Sequence, residues 1–207
     1  MSLRAGKAGA AIQRNLKMRK IKNFKINLRV RDISRVLKKV INIPEMSAEL
    51  EETVGRACFH YAKFLNLSVV YETFAKGAAP FVYEKDAPSK WVAQTLFCVT
   101  IGDALTAEFE KNRKAYGEHA EQIVSAAAVD ALEQGKNFIQ RIIAGEAEDE
   151  SCELTRSVDL PQDLYEAASA NLDISKISVS FEGNELKPRY TAFGIFYWLP
   201  SKKKSRK

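Results

Sequence analysis

The stretches VTIGD at 99–103 and, a helix later, SAAAVDAL at 125–132 decide the fold of this chain. Thr95, Leu96, Phe97, Val99 and Ile101 form an apolar and β-branched run closed by Gly102, which reads as a buried strand over 95–101 ending in a tight turn. Asp103 stands where a following helix needs a cap. Ser125, Ala126, Ala127, Ala128 and Ala131 place small side chains together on a second helix, where another backbone can approach closely. Taken alone, such alanines are an ordinary packing patch.

Working outward, Ile33, Val36, Leu37 and Val40 recur at helical spacing behind Asp32, and Pro44 stops the run, so a capped helix is expected over 32–40. Ser47 suits an N-cap, Glu49, Glu51 and Glu52 suit the positive end of a helix dipole, and Leu50, Val54, Ala57, Tyr61 and Leu65 form an apolar stripe. Residues 67–74 read as a strand, and 76–90, with Gly77, Pro80 and Pro88, as a long connection holding an extended piece at 81–83. Helices are expected at 103–115 and 118–143, parted by Gly117, with Gly145 and the acidic run 146–150 ending the second as a solvated turn. Pro161 opens a helix over 161–171 with Leu164, Tyr165 and Ala168 inward. Ile177, Val179 and Phe181 alternate, Gly183 and Asn184 signal a two-residue hairpin, and 190–198 reads as an aromatic-rich strand. Strands 95–101, 177–182 and 190–198 are expected to share one sheet.

At 207 residues and 46% hydrophobic content the chain can bury a full core. The expected fold class is α+β, a single domain over 26–200 with an antiparallel or mixed sheet packed by helices. No apolar run nears the roughly 20 residues of a membrane span, and residues 1–31 lack a signal-peptide core, so a cytoplasmic protein without a membrane partner is expected. Charge is segregated: residues 1–31 carry +10, residues 201–207 carry +5, and the middle carries −9. The basic N-terminal arm, 1–25, and the basic tail, 201–207, are expected to be flexible. They admit two readings, solubilising tails or adhesion to nucleic acid or an acidic partner. Met18 offers an alternative start.

Cys58, Cys98 and Cys152 lie far apart without CxxC spacing, which predicts buried thiols in a reducing compartment. Only two histidines are present, and Cys58 and His60, two apart on a helix, point to different faces and make a poor metal pair. No metal site and no catalytic residue is expected.

The order and spacing of these pieces add a family resemblance. A strand ending in Thr-x-Gly, a charged helix, and a small-residue helix ending in Ala-Val-Asp-Ala-Leu together resemble the activation domain of cobalamin-dependent methionine synthase and its stand-alone relatives. DISRVLKKV at 32–40 resembles the family's first helix, and Pro188, Arg189, Thr191 and Gly194 are similar to its closing strand pair. The resemblance spans about residues 26–198 and implies the same α+β fold. It further implies a domain that binds S-adenosylmethionine in a shallow surface site and presents it to a cobalamin-bearing partner, supplying position rather than a nucleophile. Cobalamin would enter only through that corrinoid protein.

The family's Arg-x-x-x-Gly-Tyr loop has its counterpart at RSVDLP, 156–161, where the arginine is kept and Gly-Tyr is absent. A glycine would let backbone approach the ligand, so methyl-donor binding is open at this loop. The expected binding residues are Arg156 for a carboxylate, and Arg189 and Thr191 lining a groove between this loop and the closing strand. Phe193, Phe196, Tyr197 and Trp198 read either as sheet core or as a platform for a corrin or base. The competing functional classes are a nucleic-acid or acidic-partner binding module acting through the basic termini, and a relict small-molecule binder.

Overall fold

In the computed structural model the described residues are 18–80, 83–183 and 185–201. The first half holds strand β1 (Arg19–Phe24), helices α1 (Val30–Val40) and α2 (Ala48–Tyr61), and strands β2 (Leu67–Ala75) and β3 (Ala93–Thr100). Helices α3 (Ala104–Asn112) and α4 (Ala120–Asp149) follow, then the short strands β4 (Cys152–Leu154) and β5 (Val158–Asp159) and helix α5 (Tyr165–Ser169). A hairpin of β6 (Ser180–Glu182) and β7 (Glu185–Lys187) precedes the long closing strand β8 (Thr191–Pro200).

The sheet runs β1-β2-β3-β8-β4, with β5 also on β8, and every pairing is antiparallel. The fold is therefore α+β with an antiparallel sheet. Alternation sorts the side chains into two layers. Val69, Tyr71, Phe97, Val99, Phe196 and Trp198 meet Ile139, Ile143 and Ala147 of α4, whereas Val70, Leu96, Cys98, Phe193, Ile195 and Tyr197 meet Leu160, Ala168, Leu172 and Ile177. Both faces of β3 are covered, which is why every residue of the strand is buried and Leu96, Phe97, Cys98 and Val99 are apolar without a break.

The alanines at 126–131 do what small residues allow. Ala126, Ala127, Ala128 and Ala131 share a cluster with Ile33 and Leu37 of α1 and Val54 and Ala57 of α2, and each is 2% exposed or less. One turn on, a Cβ at Gly135 would lie 2.9 Å from Val99 Cγ2, so the helix there rests almost directly on the sheet. Asp130, from the same stretch, accepts hydrogen bonds from Arg29 N at 3.1 Å, Arg29 Nε at 3.0 Å and Gln134 Nε2 at 2.8 Å, fastening the segment before α1 to α4.

Several expectations need correction. Strand 177–182 is not in the main sheet: 174–177 is a 3₁₀ turn, Ser178 takes a left-handed φ of 59°, and β6 pairs only with β7 in a separate ribbon. The turn aims Ile174, Ile177 and Val179 into the core instead of extending them as a strand. Residues 19–24, assigned to a flexible arm, form the edge strand β1, because Ile21 and Phe24 pack on the layer between sheet and α4. Helix α4 runs past Gly145 to Asp149, since Ala147 is buried beneath the sheet and Glu146 meets Arg19 and Tyr71. Helix α1 begins at Val30 before Asp32, and Asp103 occupies the N-cap position of α3 without a side-chain cap bond. Ser47 caps α2, accepting from Leu50 N at 3.2 Å. The expected extended piece at 81–83 and the tail at 202–207 lie largely or wholly outside the described residues. Among the described residues no helix is long and apolar enough to cross a membrane.

Candidate functional site

Strand β8 is the ruler for the expected binding residues. At its start, Thr191 is buried, and its hydroxyl donates to the Pro188 carbonyl at 2.8 Å and sits 2.9 Å from Thr100 Oγ1. Thr100 Oγ1 accepts from Gly102 N at 3.2 Å, and Ile101 N donates to the Tyr190 carbonyl at 3.2 Å. The φ of 77° at Gly102 turns the chain out of β3 at this point, with the backbone of Asn66 closing in from the other side. These bonds join the ends of β3 and β8 and leave the Thr191 hydroxyl committed. Arg189 is exposed, with its guanidinium 5.6 Å from the Tyr190 ring centroid and no ion pair among the described residues.

At the other end, residues 155–157 bridge β4 and β5. Thr155 N donates to the Tyr197 carbonyl at 2.9 Å, its hydroxyl accepts from Tyr197 N at 3.0 Å and donates to the Arg156 carbonyl at 2.9 Å. The Tyr197 hydroxyl donates to the Tyr83 carbonyl at 3.1 Å, and burial holds this phenol's pKa above its ordinary value. On the far side of the loop, Lys136 of α4 reaches Asp159 at 2.7 Å. The backbone on both sides of Arg156 is thus fastened, while its side chain is exposed and has no ion pair among the described residues.

The structure does not bring the three expected residues together. Thr191 and Tyr197, the positions on β8 beside which Arg189 and Arg156 sit, are about 20 Å apart along an extended strand. The groove expected between the 156–161 loop and β8 is closed along its length, because Val158 and Asp159 pair with Ile195 and Gly194, and Leu160 N donates to the Phe193 carbonyl at 3.0 Å. Nor do Phe193, Phe196, Tyr197 and Trp198 form a platform, since each is 3% exposed or less and belongs to the core.

A polar knot between α2 and α3 escaped the sequence reading. His60 Nε2 lies 2.9 Å from Glu108 Oε1, and Asn112 Nδ2 donates to the same oxygen at 2.7 Å. The His60 ring is flanked by those of Tyr61, Phe64 and Tyr116. The Tyr61 hydroxyl beneath them is buried without a hydrogen-bond partner among the described residues, and burial drives its pKa far up. The available signal was Glu108 and Asn112 at i, i+4 on a helix facing the end of another, which spacing alone cannot single out. Among the described residues no group of three or more His, Cys, Asp or Glu is placed to hold a metal ion. All three cysteines are buried and free, and burial pushes the Cys58 thiol up to about 11, and Cys98 and Cys152 also upward. They are thiols at neutral pH, not thiolate nucleophiles.

No protein-family model and no curated protein matches the sequence. Among solved structures, the chain is similar to the MetH reactivation domain crystallised with AdoHcy, with a TM-score of 0.58 and 12% identity over 92% of this chain and 81% of that one. That likeness is one of fold.

Proposed function

We propose that the chain is a binding module for an adenosyl ligand of the S-adenosylmethionine or S-adenosylhomocysteine kind, acting as an accessory to a corrinoid protein in methyl transfer. The observation that supports this reading is the shared fold over 92% of the chain with a domain crystallised with AdoHcy. The chemistry of the described residues agrees with a positioning role. The thiols are protonated, and the β4–β5 loop, whose backbone is fixed against β8, carries an exposed guanidinium without an ion pair among the described residues. Arg156 is permanently charged and forked, the geometry that holds a carboxylate through two parallel bonds. The amino-acid carboxylate of the ligand is its natural partner, and the corrinoid, carried by the partner protein, supplies the methyl-accepting metal. Arg189 and Thr191 stand apart from this contact.

Calorimetry with S-adenosylmethionine and S-adenosylhomocysteine tests the reading. Wild type is expected to bind, Arg156→Ala to bind at least tenfold more weakly, equivalent to about 1.4 kcal/mol, and Arg189→Ala to bind as wild type. Absence of heat with wild type at millimolar ligand rejects an adenosyl site, and equal binding by Arg156→Ala moves it off this loop.

A further inference from the structure

Two neighbouring features of α2 have no explanation within a single chain. Gly55 stands in the middle of the helix, where glycine is the poorest former after proline, yet a Cβ at this position would meet nothing within 4 Å. Gly135 is excused by its close approach to the sheet, and Gly55 is not. One turn on, Phe59 is 74% exposed, the most exposed large hydrophobic side chain among the described residues. A lone apolar residue on a surface is ordinary. Here the ring and the bare backbone lie at i and i+4 on one stripe of the helix, so a knob stands next to a hole.

The stripe begins three residues earlier at Glu52 and ends four residues later at Lys63, in the 3₁₀ turn Ala62–Phe64 that carries the chain on from α2. The inner side of α2, with Val54, Ala57, Cys58 and Tyr61, is spent on the core, so this stripe is the face turned to solvent. Neither Glu52 nor Lys63 has an ion pair among the described residues, and the Lys63 ammonium lies 4.6 Å from the centroid of the Phe59 ring.

With its acid at one end and its base at the other, the stripe is complementary to its own reverse. A two-fold axis across α2 that seats Phe59 on Gly55 of a second copy also seats the second Phe59 on the first Gly55. The same operation brings Glu52 level with the partner's Ala62, one residue rise of about 1.5 Å from the partner's Lys63. Each ring then fills open backbone, and a Glu52–Lys63 pair closes each end. A parallel pair would instead set ring on ring and acid on acid. Arg56 stays at the rim, its guanidinium turned back to Thr53 Oγ1 at 3.3 Å. A different protein would need knob, hole, acid and base in this order, whereas a second copy carries them already.

We propose that the solvent face of α2 is a self-association surface, on which two copies of this chain pair antiparallel about a two-fold axis. The inference is independent of the adenosyl reading and uses none of its residues. A helix of 14 residues, about 21 Å long, offers less than the roughly 800 Å² per partner of a standard interface, so the dimer is weak, with a Kd on the order of 100 µM.

The test is sedimentation equilibrium of the full chain from about 10 µM to about 1 mM, in about 150 mM NaCl, with a thermal melt of every variant. Wild type is expected to pass from mostly monomer to mostly dimer over that range. Gly55→Gln puts a good helix former where the single chain has open space, so its Tm is expected to rise by about 2 °C while the dimer weakens at least tenfold. A role confined to the single chain would not move the two readouts in opposite directions. Phe59→Gln is expected to weaken the dimer at least tenfold. Charge exchange tests the orientation: Glu52→Lys and Lys63→Glu are each expected to weaken the dimer about fivefold, and Glu52→Lys/Lys63→Glu to return to within about twofold of wild type. A wild type that stays monomeric at about 1 mM overturns the proposal and leaves the face to a different protein. Association unchanged by Gly55→Gln or Phe59→Gln, or a double charge variant as weak as the single ones, overturns it as well.

Discussion

The two faces of the central sheet are covered in opposite ways. On one, a single helix of 30 residues, α4, lies across the strands and approaches so closely that its Gly135 has no room for a Cβ against Val99, and its Ala147 is fully buried. On the other, the cover is assembled from Trp91, Leu160, Ala168, Leu172, Ile174, Ile177 and Val179, residues spread over connections, 3₁₀ turns and the short α5. A regular helix against a regular sheet gives a tight, inflexible layer, whereas a patchwork of short segments can shift and can carry loops that reach solvent. The Arg156 loop joins β4 to β5 beside β8, where the second kind of cover begins, so the proposed contact would sit on a loop held by a rigid frame.

The contrast predicts that added volume on the α4 face costs more than removed volume on the other. A Cβ at Gly194 would stand 2.4 Å from Phe97 Cζ and 3.0 Å from the Val158 carbonyl. The Phe97 ring cannot yield freely, because it is fully buried and stacked on Phe196 with centroids 4.8 Å apart. Gly194→Ala is expected to lose about 3 kcal/mol by urea denaturation, near the top of the overpacking range, and Gly194→Ala/Phe97→Leu to recover part of it. Ile177→Ala, in the patchwork layer, is expected to lose about 2 kcal/mol, the lower end for such truncations, because a 3₁₀ turn can settle into the space. The reverse order would break the comparison.

How much of this was legible follows the same division. Helix α4 and strands β2, β3 and β8 announce themselves because each keeps one conformation and a buried apolar pattern over eight or more residues. Val179 and Phe181 also alternate, yet Ser178 turns left-handed between the 3₁₀ turn and β6, and a period of two over three residues could not exclude this. Lysines hid β1, whose strand character rests on Ile21 and Phe24 alone and on a partner 43 residues or more away. For the site, the sequence offered residues but no place that holds them together. Arg189 and Thr191 adjoin β8 in sequence, Arg156 reaches the same strand only through the pairing of β4 and β5, and about 20 Å of extended strand keeps the arginines apart.

Alkaline pH gives a second, smaller way to sharpen the contrast. Tyr71 on the α4 face donates to Glu146 at 3.0 Å, and burial, with the Glu146 charge second, pushes the phenol up to about 12. A pKa raised on folding stabilises the native state below the unfolded value, about 10 for tyrosine, and that contribution is lost as pH rises through the folded value. Thermal stability is therefore expected to fall between about pH 10 and 12, with the thiols Cys58 and Cys98 adding an earlier onset above pH 9. Tyr71→Phe should cost about 1 kcal/mol at pH 7 through the lost hydrogen bond, and should flatten the alkaline limb. A limb as steep as that of wild type would show that Tyr71 does not carry it.

The smallest effect is expected where the two kinds of cover meet. Lys136 of α4, whose side chain is 11% exposed, holds Asp159 of β5, whose side chain is 63% exposed, and so ties the rigid layer to the loop carrying Arg156. Because the carboxylate is largely in water, Asp159→Ala should lower global stability by less than about 1 kcal/mol. The local consequence is larger than the global one. Strand β5 is two residues long and hangs on β8 by Val158, Asp159 and the neighbouring Leu160 amide, so losing the tie should raise opening of this segment before anything else unfolds. Hydrogen exchange is expected to speed up at the Leu160 amide while the amides of β3 keep their protection. If β3 and Leu160 accelerated together, β5 would belong to the rigid layer, and Arg156 would sit on the frame of the sheet instead of on a loop that can open.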